Sequence, residues 1–369
     1  MSRTQHTQLE INLNALGHNY RHISSKLKEG TKVMAVVKAF GYGSAAVAVA
    51  HALAPMGVSY FAVAYAGEGI ALRDAKIKTP ILVLHPQGVN FEKIINRCLE
   101  PNLYSEKSLR AFIACAESKG QTGYPVHLKF NTGLNRLGFS LRDIPKIVET
   151  LLRTKAVKVK SVLSHLAESE DAAEAEFTNL QLSRFKIISE KITEGLGHRP
   201  WFHTLNTSGI LNFPQAHYDM VRTGIGLYGF ANNAAETLKL KPVATLKTVI
   251  SQLHTLKKNE TVGYNRAFTA TQTMRTATLP IGHADGISRA FGNGTGWVTV
   301  HGKKAPIVGN VCMDMMMVNV TGIACSEGDT VQVFGSNPTA GQLAAAIGTI
   351  PYELLTAVSQ RVARVVCRK

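Results

Sequence analysis

The chain has 369 residues, of which 45% are hydrophobic and 18% charged, with a formal net charge of +16. So much apolar mass with so little charge excludes a disordered chain, and the length points to two domains. The five cysteines are scattered, with no C-x-x-C pair, so neither a disulfide framework nor a zinc site is expected, which fits a reducing compartment.

The N-terminal MSRTQHTQLEINL carries no apolar core of the kind a secretory signal needs. The longest apolar stretch, 45–58, is interrupted by His51 and Pro55 and is too short to cross a bilayer. A soluble, cytoplasmic protein without membrane contact is expected. Short β-branched runs then alternate with helical stretches. Strands are expected at 33–37, 60–64, 81–84, 99–104, 126–130, 159–164, 201–205 and 220–222, with helices at 44–54, 68–75, 108–119 and 172–196. Eight strands with helical connections fit a (β/α)8 TIM-like barrel better than an open doubly wound sheet. The polar, Ala-rich stretch 231–237 reads as a linker. Beyond it, 245–253, 274–279, 297–301, 315–320 and 331–334 read as strands, with one late helix near 341–347. The second region is therefore expected to be mainly β.

In such a barrel the chemistry gathers where strands end. The first strand runs into Lys38-Ala39-Phe40-Gly41-Tyr42-Gly43. A lysine closing an apolar strand is partly desolvated, which favours the neutral amine that forms Schiff bases. A snorkelling lysine before a tight turn describes the segment equally well. On the fifth strand Lys129 has inward parity, and Arg136 follows in the loop, where its fork suits a carboxylate. Taken alone, these are also two ordinary solvated cations. His165, after the sixth strand, is either a proton relay or a satisfied structural histidine. The segments Asn206-Thr207-Ser208-Gly209 and Arg222-Thr223-Gly224-Ile225 follow strands seven and eight, the usual place of a phosphate cradle. Thr207, Ser208, Gly224 and Ile225 suit that role. In the β region Tyr264, Cys312-Met313-Asp314 and Tyr352 stand out. Cys312 reads as a buried small hydrophobe and 313–317 as a core strand.

The segments AVVKAFGYG, HLKFNTGLNRLGF, SHLAES, LNTSG, VRTGIGLYG, ETVGY, NVCMDM and TIPYELL, in this order, resemble the alanine racemases, fold-type III enzymes that use pyridoxal 5'-phosphate. Any one of them is weak evidence; eight in sequence, over nearly the whole chain, are specific. The resemblance implies a cofactor-binding barrel, 12–235, and a mainly β domain, 236–369, onto which residues 1–11 pack. It implies homodimers with shared active sites, and no metal. Lys38 would be the catalytic lysine that bonds the cofactor. Tyr42, Thr207, Gly224, Ile225 and Tyr352 would hold its phosphate, with Ser208 as a helper and Asn206 in the same segment. Arg222 would face the pyridine nitrogen, and Arg136 and Met313 would contact the substrate carboxylate. Lys129 would correspond to a lysine often carbamylated in the family, steadying Arg136. Tyr264 would reach across from the other subunit as the second catalytic base, with His165 beside it.

The implied reaction interconverts L- and D-alanine by two-base proton transfer, supplying D-alanine for peptidoglycan. Phenols titrate near 10, so a chain from Tyr264 through His165 to Arg222 is expected to favour the phenolate. Arg222 can only donate, which should leave the ring nitrogen unprotonated and discourage transamination and decarboxylation.

Three positions depart from the family pattern: His283 stands where a tyrosine is usual, Asn310 where arginine is frequent, and Asn131 for a common aspartate. They question strict alanine specificity, so a serine or broad-spectrum racemase of the same fold is the near rival. A basic-amino-acid decarboxylase shares the plan but would place a carboxylate opposite the pyridine nitrogen. A cofactor-storing barrel would leave the β region without purpose. Dispersed basic residues such as Lys155, Lys158 and Lys160, lacking interleaved aromatics, read as solvated faces and not as a nucleic-acid surface.

Overall fold

Strands that are apolar on both faces and separated by helices bury both faces only in a parallel sheet wrapped by those helices. The computed structural model, which describes residues 7–170, 175–231 and 234–368, has this architecture followed by a second, mostly antiparallel sheet. The expectations for 1–6, 171–174, 232–233 and 369 lie outside the described residues.

The chain starts in the second sheet with β1 (Gln8–Asn12), whose Leu9 and Ile11 point into the core. Asn12 then caps the helix Leu13–Ser24, its Oδ1 accepting from the N–H groups of Asn14 (3.0 Å) and Ala15 (3.1 Å). Eight parallel strands follow: β2 (Lys32–Val36), β3 (Tyr60–Val63), β4 (Ile81–Val83), β5 (Glu100–Leu103), β6 (Tyr124–Lys129), β7 (Val157–Leu163), β8 (Trp201–His203) and β9 (Met220–Thr223). They pair in chain order, and β9 returns to β2. The seam between β8 and β9 is joined by Asp219 N–H to Phe202 O (3.2 Å) and Arg222 N–H to Leu205 O (3.0 Å), so the barrel closes.

The remaining strands are β10 (Ala244–Val249), β11 (Gln252–Leu256), β12 (Thr261–Val262), β13 (Phe268–Thr269), β14 (Met274–Leu279), β15 (Trp297–Val300), β16 (Lys303–Val308), β17 (Met316–Asn319), β18 (Thr330–Phe334) and β19 (Ala363–Cys367). Apart from the small β12–β13 hairpin they form a nine-stranded sheet with β1, which lies antiparallel to β10 and parallel to β19.

Four expectations are corrected. The run 245–253 is two strands, because Ile250 N–H turns to Asp329 O and Ser251 N–H to Thr278 O, a corner that hydrophobic continuity hides. Two late helices stand where one was expected, Ala340–Ala346 and Pro351–Ala357; Pro351 opens the second, since proline suits a first helical turn. The 313–317 run is not a core strand: β17 begins at Met316, and Met313 is 60% exposed. Cys312 is only partly buried.

The helix Pro351–Ala357 packs on the turn after Lys38. A Cβ at Gly43 would lie 2.2 Å from Leu355 O, so only glycine lets the barrel and the β region meet there. Arg364 on β19 also donates through Nε to Gly43 O at 3.2 Å.

Candidate active site

Lys38 sits two residues beyond β2, and the five residues after it all have positive φ: Ala39 +52°, Phe40 +57°, Gly41 +68°, Tyr42 +53° and Gly43 +78°. A left-handed conformation costs an L-residue roughly 1–2 kcal/mol, so the turn is held by its surroundings. Glu68 does part of this. Its Oε1 accepts from Ala39 N–H at 2.6 Å, and its Oε2 accepts from the N–H groups of Ala64 (2.7 Å) and Tyr65 (3.2 Å). Burial, and after it the charge of Arg136, push the Lys38 ammonium below the ordinary lysine range.

The amine opens on a cavity of about 640 Å³ at the C-terminal mouth of the barrel. Its lining includes Tyr42, Lys129, Arg136, His165, Asn206, Thr207, Arg222, Gly224, Ile225 and Tyr352, so most of the expected residues converge. Four cations line it (Lys38, Lys129, Arg136 and Arg222), and among the described residues no carboxylate does. Such a lining calls for an anionic ligand.

Arg222 is 4% exposed and nearly saturated with acceptors. Nη1 donates to His203 Nδ1 (2.7 Å) and His203 O (3.1 Å), and Nη2 to Ser164 O (2.7 Å), Thr204 O (2.7 Å) and His165 Nδ1 (3.2 Å). Among the described residues nothing accepts from Nε, which is the donor left for a ligand. Burial and then the Arg222 charge hold His165 well below the usual histidine range. Because its Nδ1 accepts from Arg222, the proton of this neutral ring rests on Nε2.

Burial, reinforced by the charges of Arg136, Arg222 and Lys38, pushes Lys129 down to about 8. The loop carrying Arg136 is set by Asn131, whose Oδ1 accepts from the N–H groups of Gly133 (3.1 Å) and Asn135 (3.0 Å) while its Nδ2 donates to Asn135 Oδ1 (2.8 Å).

Hydroxyls gather at the other end of the cavity. The Tyr42 ring stacks on Tyr228 at 4.5 Å and tilts against Tyr352 at 5.8 Å. Thr207 Oγ1 accepts from the N–H groups of Gly224 (3.2 Å) and Gly226 (3.3 Å). A Cβ on Gly224 would lie 2.3 Å from the Tyr42 hydroxyl, so the missing side chain makes room for that group. Asn206 caps the helix Thr207–Asn212, accepting from Gly209 N–H (2.9 Å) and Ser169 Oγ (2.8 Å). Ser208 is buried in that helix and does not line the cavity.

Tyr264 and Met313 lie elsewhere. They line an open concavity of about 790 Å³ on the β region, with Cys312, Met315 and Met317, and it shares no lining residue with the barrel cavity. Tyr264 is 73% exposed. Asn310 lies beneath it, Nδ2 donating to Tyr264 O at 3.5 Å. The His283 turn docks there too, His283 N–H donating to Cys312 O (2.9 Å) and Ala284 N–H to Met313 O (3.0 Å). The proposed contact from Tyr264 to His165 is therefore not made within one chain.

Sequence reasoning overlooked Glu68, His203 and Asn102. Asn102 is fully buried, donates to Leu84 O at 2.8 Å and lines the cavity, and among the described residues its Oδ1 has no partner. A polar residue at inward parity on a barrel strand was the signal for His203 and Asn102.

Compared with known proteins, the alanine racemase N-terminal domain family matches residues 11–232 and the alanine racemase C-terminal domain family residues 243–366. The chain belongs to the alanine racemase family. The alanine racemase of Carboxydothermus hydrogenoformans is 36% identical over 96% of this chain and 98% of its own length. The solved alanine racemase of Clostridium difficile 630 superposes with a TM-score of 0.94 at 33% identity, covering 100% of this chain and 97% of that one. The structure of alanine racemase from Bartonella henselae with covalently bound pyridoxal phosphate gives a TM-score of 0.89 at 28% identity, covering 98% and 99%. A (β/α)8 barrel followed by a mainly β region is thus the alanine racemase fold.

Proposed function

We propose that this protein is a pyridoxal-phosphate-dependent alanine racemase, moving the α-proton between the two faces of the amino acid. The observation that carries this reading is a strained lysine turn opening on a barrel cavity lined by four cations and, among the described residues, no carboxylate. The donor set fits the cofactor. Tyr42, Thr207, Gly224, Ile225 and Tyr352 would hold its phosphate with Ser208 behind them, Arg222 Nε would donate to the ring nitrogen, and Lys38 would bond the aldehyde carbon. When bound, pyridoxal phosphate supplies the electron sink that acidifies the Cα–H bond.

The protein's own groups do the rest. Lys38 Nζ, shifted toward the neutral amine by burial, takes or returns the proton on one face. Tyr264 from a second copy of the chain serves the other face, and His165 Nε2–H donates to its oxygen, favouring the phenolate. Arg136 and Met313 hold the substrate carboxylate. The Lys129 amine adds CO2, releasing a proton and leaving a carbamate that pairs with Arg136. In this reading 12–235 is the cofactor domain and 236–369, with 1–11, supplies the partner's second base. The product, D-alanine, serves peptidoglycan synthesis in the cytoplasm. Among the described residues no helix is long and apolar enough to cross a membrane.

The test is proton NMR of the cofactor-loaded protein with L-alanine in heavy water, with a chiral assay on the same sample. Loss of the α-proton signal together with D-alanine is expected. No exchange with alanine but exchange with serine would move the assignment to a broader racemase, with His283 and Asn310 as the cause. Amine product would make it a decarboxylase.

Two variants bear on the roles. Arg222→Glu offers an acid to the ring nitrogen, and side transamination should rise, read as pyruvate formed per racemisation. Gly224→Ala drives a methyl into the Tyr42 hydroxyl; overpacking of this kind costs about 1–3 kcal/mol, so cofactor affinity should fall roughly 5- to 150-fold in a fluorescence titration.

A further inference from the structure

The barrel interior holds a line of polar side chains that leads away from the cavity. Barrel cores are ordinarily filled by branched apolar residues, yet five neighbouring strands each contribute one polar group to a continuous chain. Arg222 (β9) donates to His203 Nδ1 at 2.7 Å, and His203 (β8) Nε2 meets Ser161 Oγ at 2.9 Å. Ser161 (β7) meets His127 Nδ1 at 2.6 Å, and His127 (β6) Nε2 meets Glu100 Oε2 at 2.7 Å. Tyr60 also donates to Glu100 Oε2, at 3.0 Å. His127, Ser161 and His203 are fully buried. Glu100 opens β5 at the base of the barrel, the end opposite the cavity.

The two ends impose one direction on every proton in the line. A guanidinium only donates, so His203 Nδ1 is bare and its proton sits on Nε2, facing Ser161. Ser161 has one proton, which then goes to His127 Nδ1, and His127 Nε2–H goes to the carboxylate. A carboxylate only accepts, so His127 carries its proton on Nε2, and with that ring neutral the far end gives the same order. Burial and the Arg222 charge hold His203 well below the usual histidine range, consistent with a neutral ring in the line. Hydrogen bonds so aligned polarise one another, and a line with a charge at each end is stronger than its pairs.

We infer that Glu100 is a positioning residue for Arg222, acting through His127, Ser161 and His203. It rests on the reading of Arg222 as the group at the cofactor's ring nitrogen. Glu100 fixes the tautomer of His127 and, through Ser161, reinforces the His203 tautomer that Arg222 requires, so keeping a strong acceptor on Arg222 Nη1. That leaves Nε aimed at the cavity and the guanidinium charged.

The test uses the full-length, cofactor-loaded protein with 15N-labelled histidine. Long-range 1H–15N spectra should show His127 and His203 both as neutral Nε2–H tautomers. In Glu100→Gln, whose amide can donate or accept, the His203 Nδ1 resonance should move although the substitution lies three residues along the line. In the same variant kcat for alanine should fall roughly 2- to 30-fold with KM unchanged. Ser161→Ala cuts the line without changing charge and should give the same kcat loss, which Ser161→Thr, restoring a hydroxyl, reverses. If Glu100→Gln does not fold, the serine pair carries the test. A folded Glu100→Gln or Ser161→Ala protein with an unmoved His203 signal and unchanged kcat overturns the inference. So does a wild-type His127 found as an imidazolium or as the Nδ1–H tautomer. A His203 signal that moves in a protein without alanine racemisation upholds the line and sinks the functional reading instead.

Discussion

Replacing Lys38 by alanine is expected to lower racemisation by roughly 10⁴-fold or more, since in the proposed mechanism the same nitrogen serves as attachment point and base. The structure prepares that nitrogen in two ways: burial lowers the ammonium pKa, and five left-handed residues behind it fix its approach. Lys38→Arg should fail as badly, because a guanidinium stays charged and cannot act as the amine does. The check has two parts, steady-state racemisation and borohydride reduction of the cofactor-loaded protein followed by peptide mapping. Wild type should retain the cofactor on the peptide bearing Lys38, and the variants on none. Retention at another lysine would reassign the site, with Lys129 the first alternative.

The second large effect concerns Tyr264. Its replacement by phenylalanine should cost about 10²–10⁴-fold, the usual contribution of a positioned acid or base. The loss should be one-sided: α-proton exchange survives for one enantiomer and fails for the other. Within one chain Tyr264 and Lys38 line separate cavities, so the proposed reading needs a second copy to unite them. Mixing inactive Lys38→Ala with inactive Tyr264→Phe tests this. In a two-fold dimer with shared sites, random exchange should restore about a quarter of wild-type activity. Exchanged subunits without activity would end the shared-site reading.

Much of this was legible in the residues. The eight barrel strands were each found within a few positions, most of them as short apolar runs bounded by helical pattern, although β5 carries a glutamate, a proline and an asparagine. The residues after them led to the cavity, because barrel chemistry sits at strand ends. What escaped was set by partners distant in sequence. The strand Lys303–Val308 opens with two lysines and holds a proline, so it reads as loop until its neighbours β15 and β17 are seen. Glu68 looks like an ordinary helical acid, and nothing local reveals that its carboxylate accepts from Ala39 N–H. Exposure misled in the other direction: Met313 and Met315 look like core and face solvent, the position a partner-covered surface would give them.

The placement of β1 also bears on how the polypeptide matures as it leaves the ribosome. This first strand belongs between β10 and β19, and β19 is the last of the described strands to be translated. Synthesis at about 5–20 residues per second therefore leaves the N-terminal edge unpaired for most of translation, a period when such edges are prone to wrong pairing. The same late strand brings Arg364 to Gly43 O, so the turn behind Lys38 gains this support only once β19 has been made. The nascent barrel would then acquire its reactive amine as nearly the final act of folding, and loss of the C-terminal strand should leave a chain that cannot keep its cofactor.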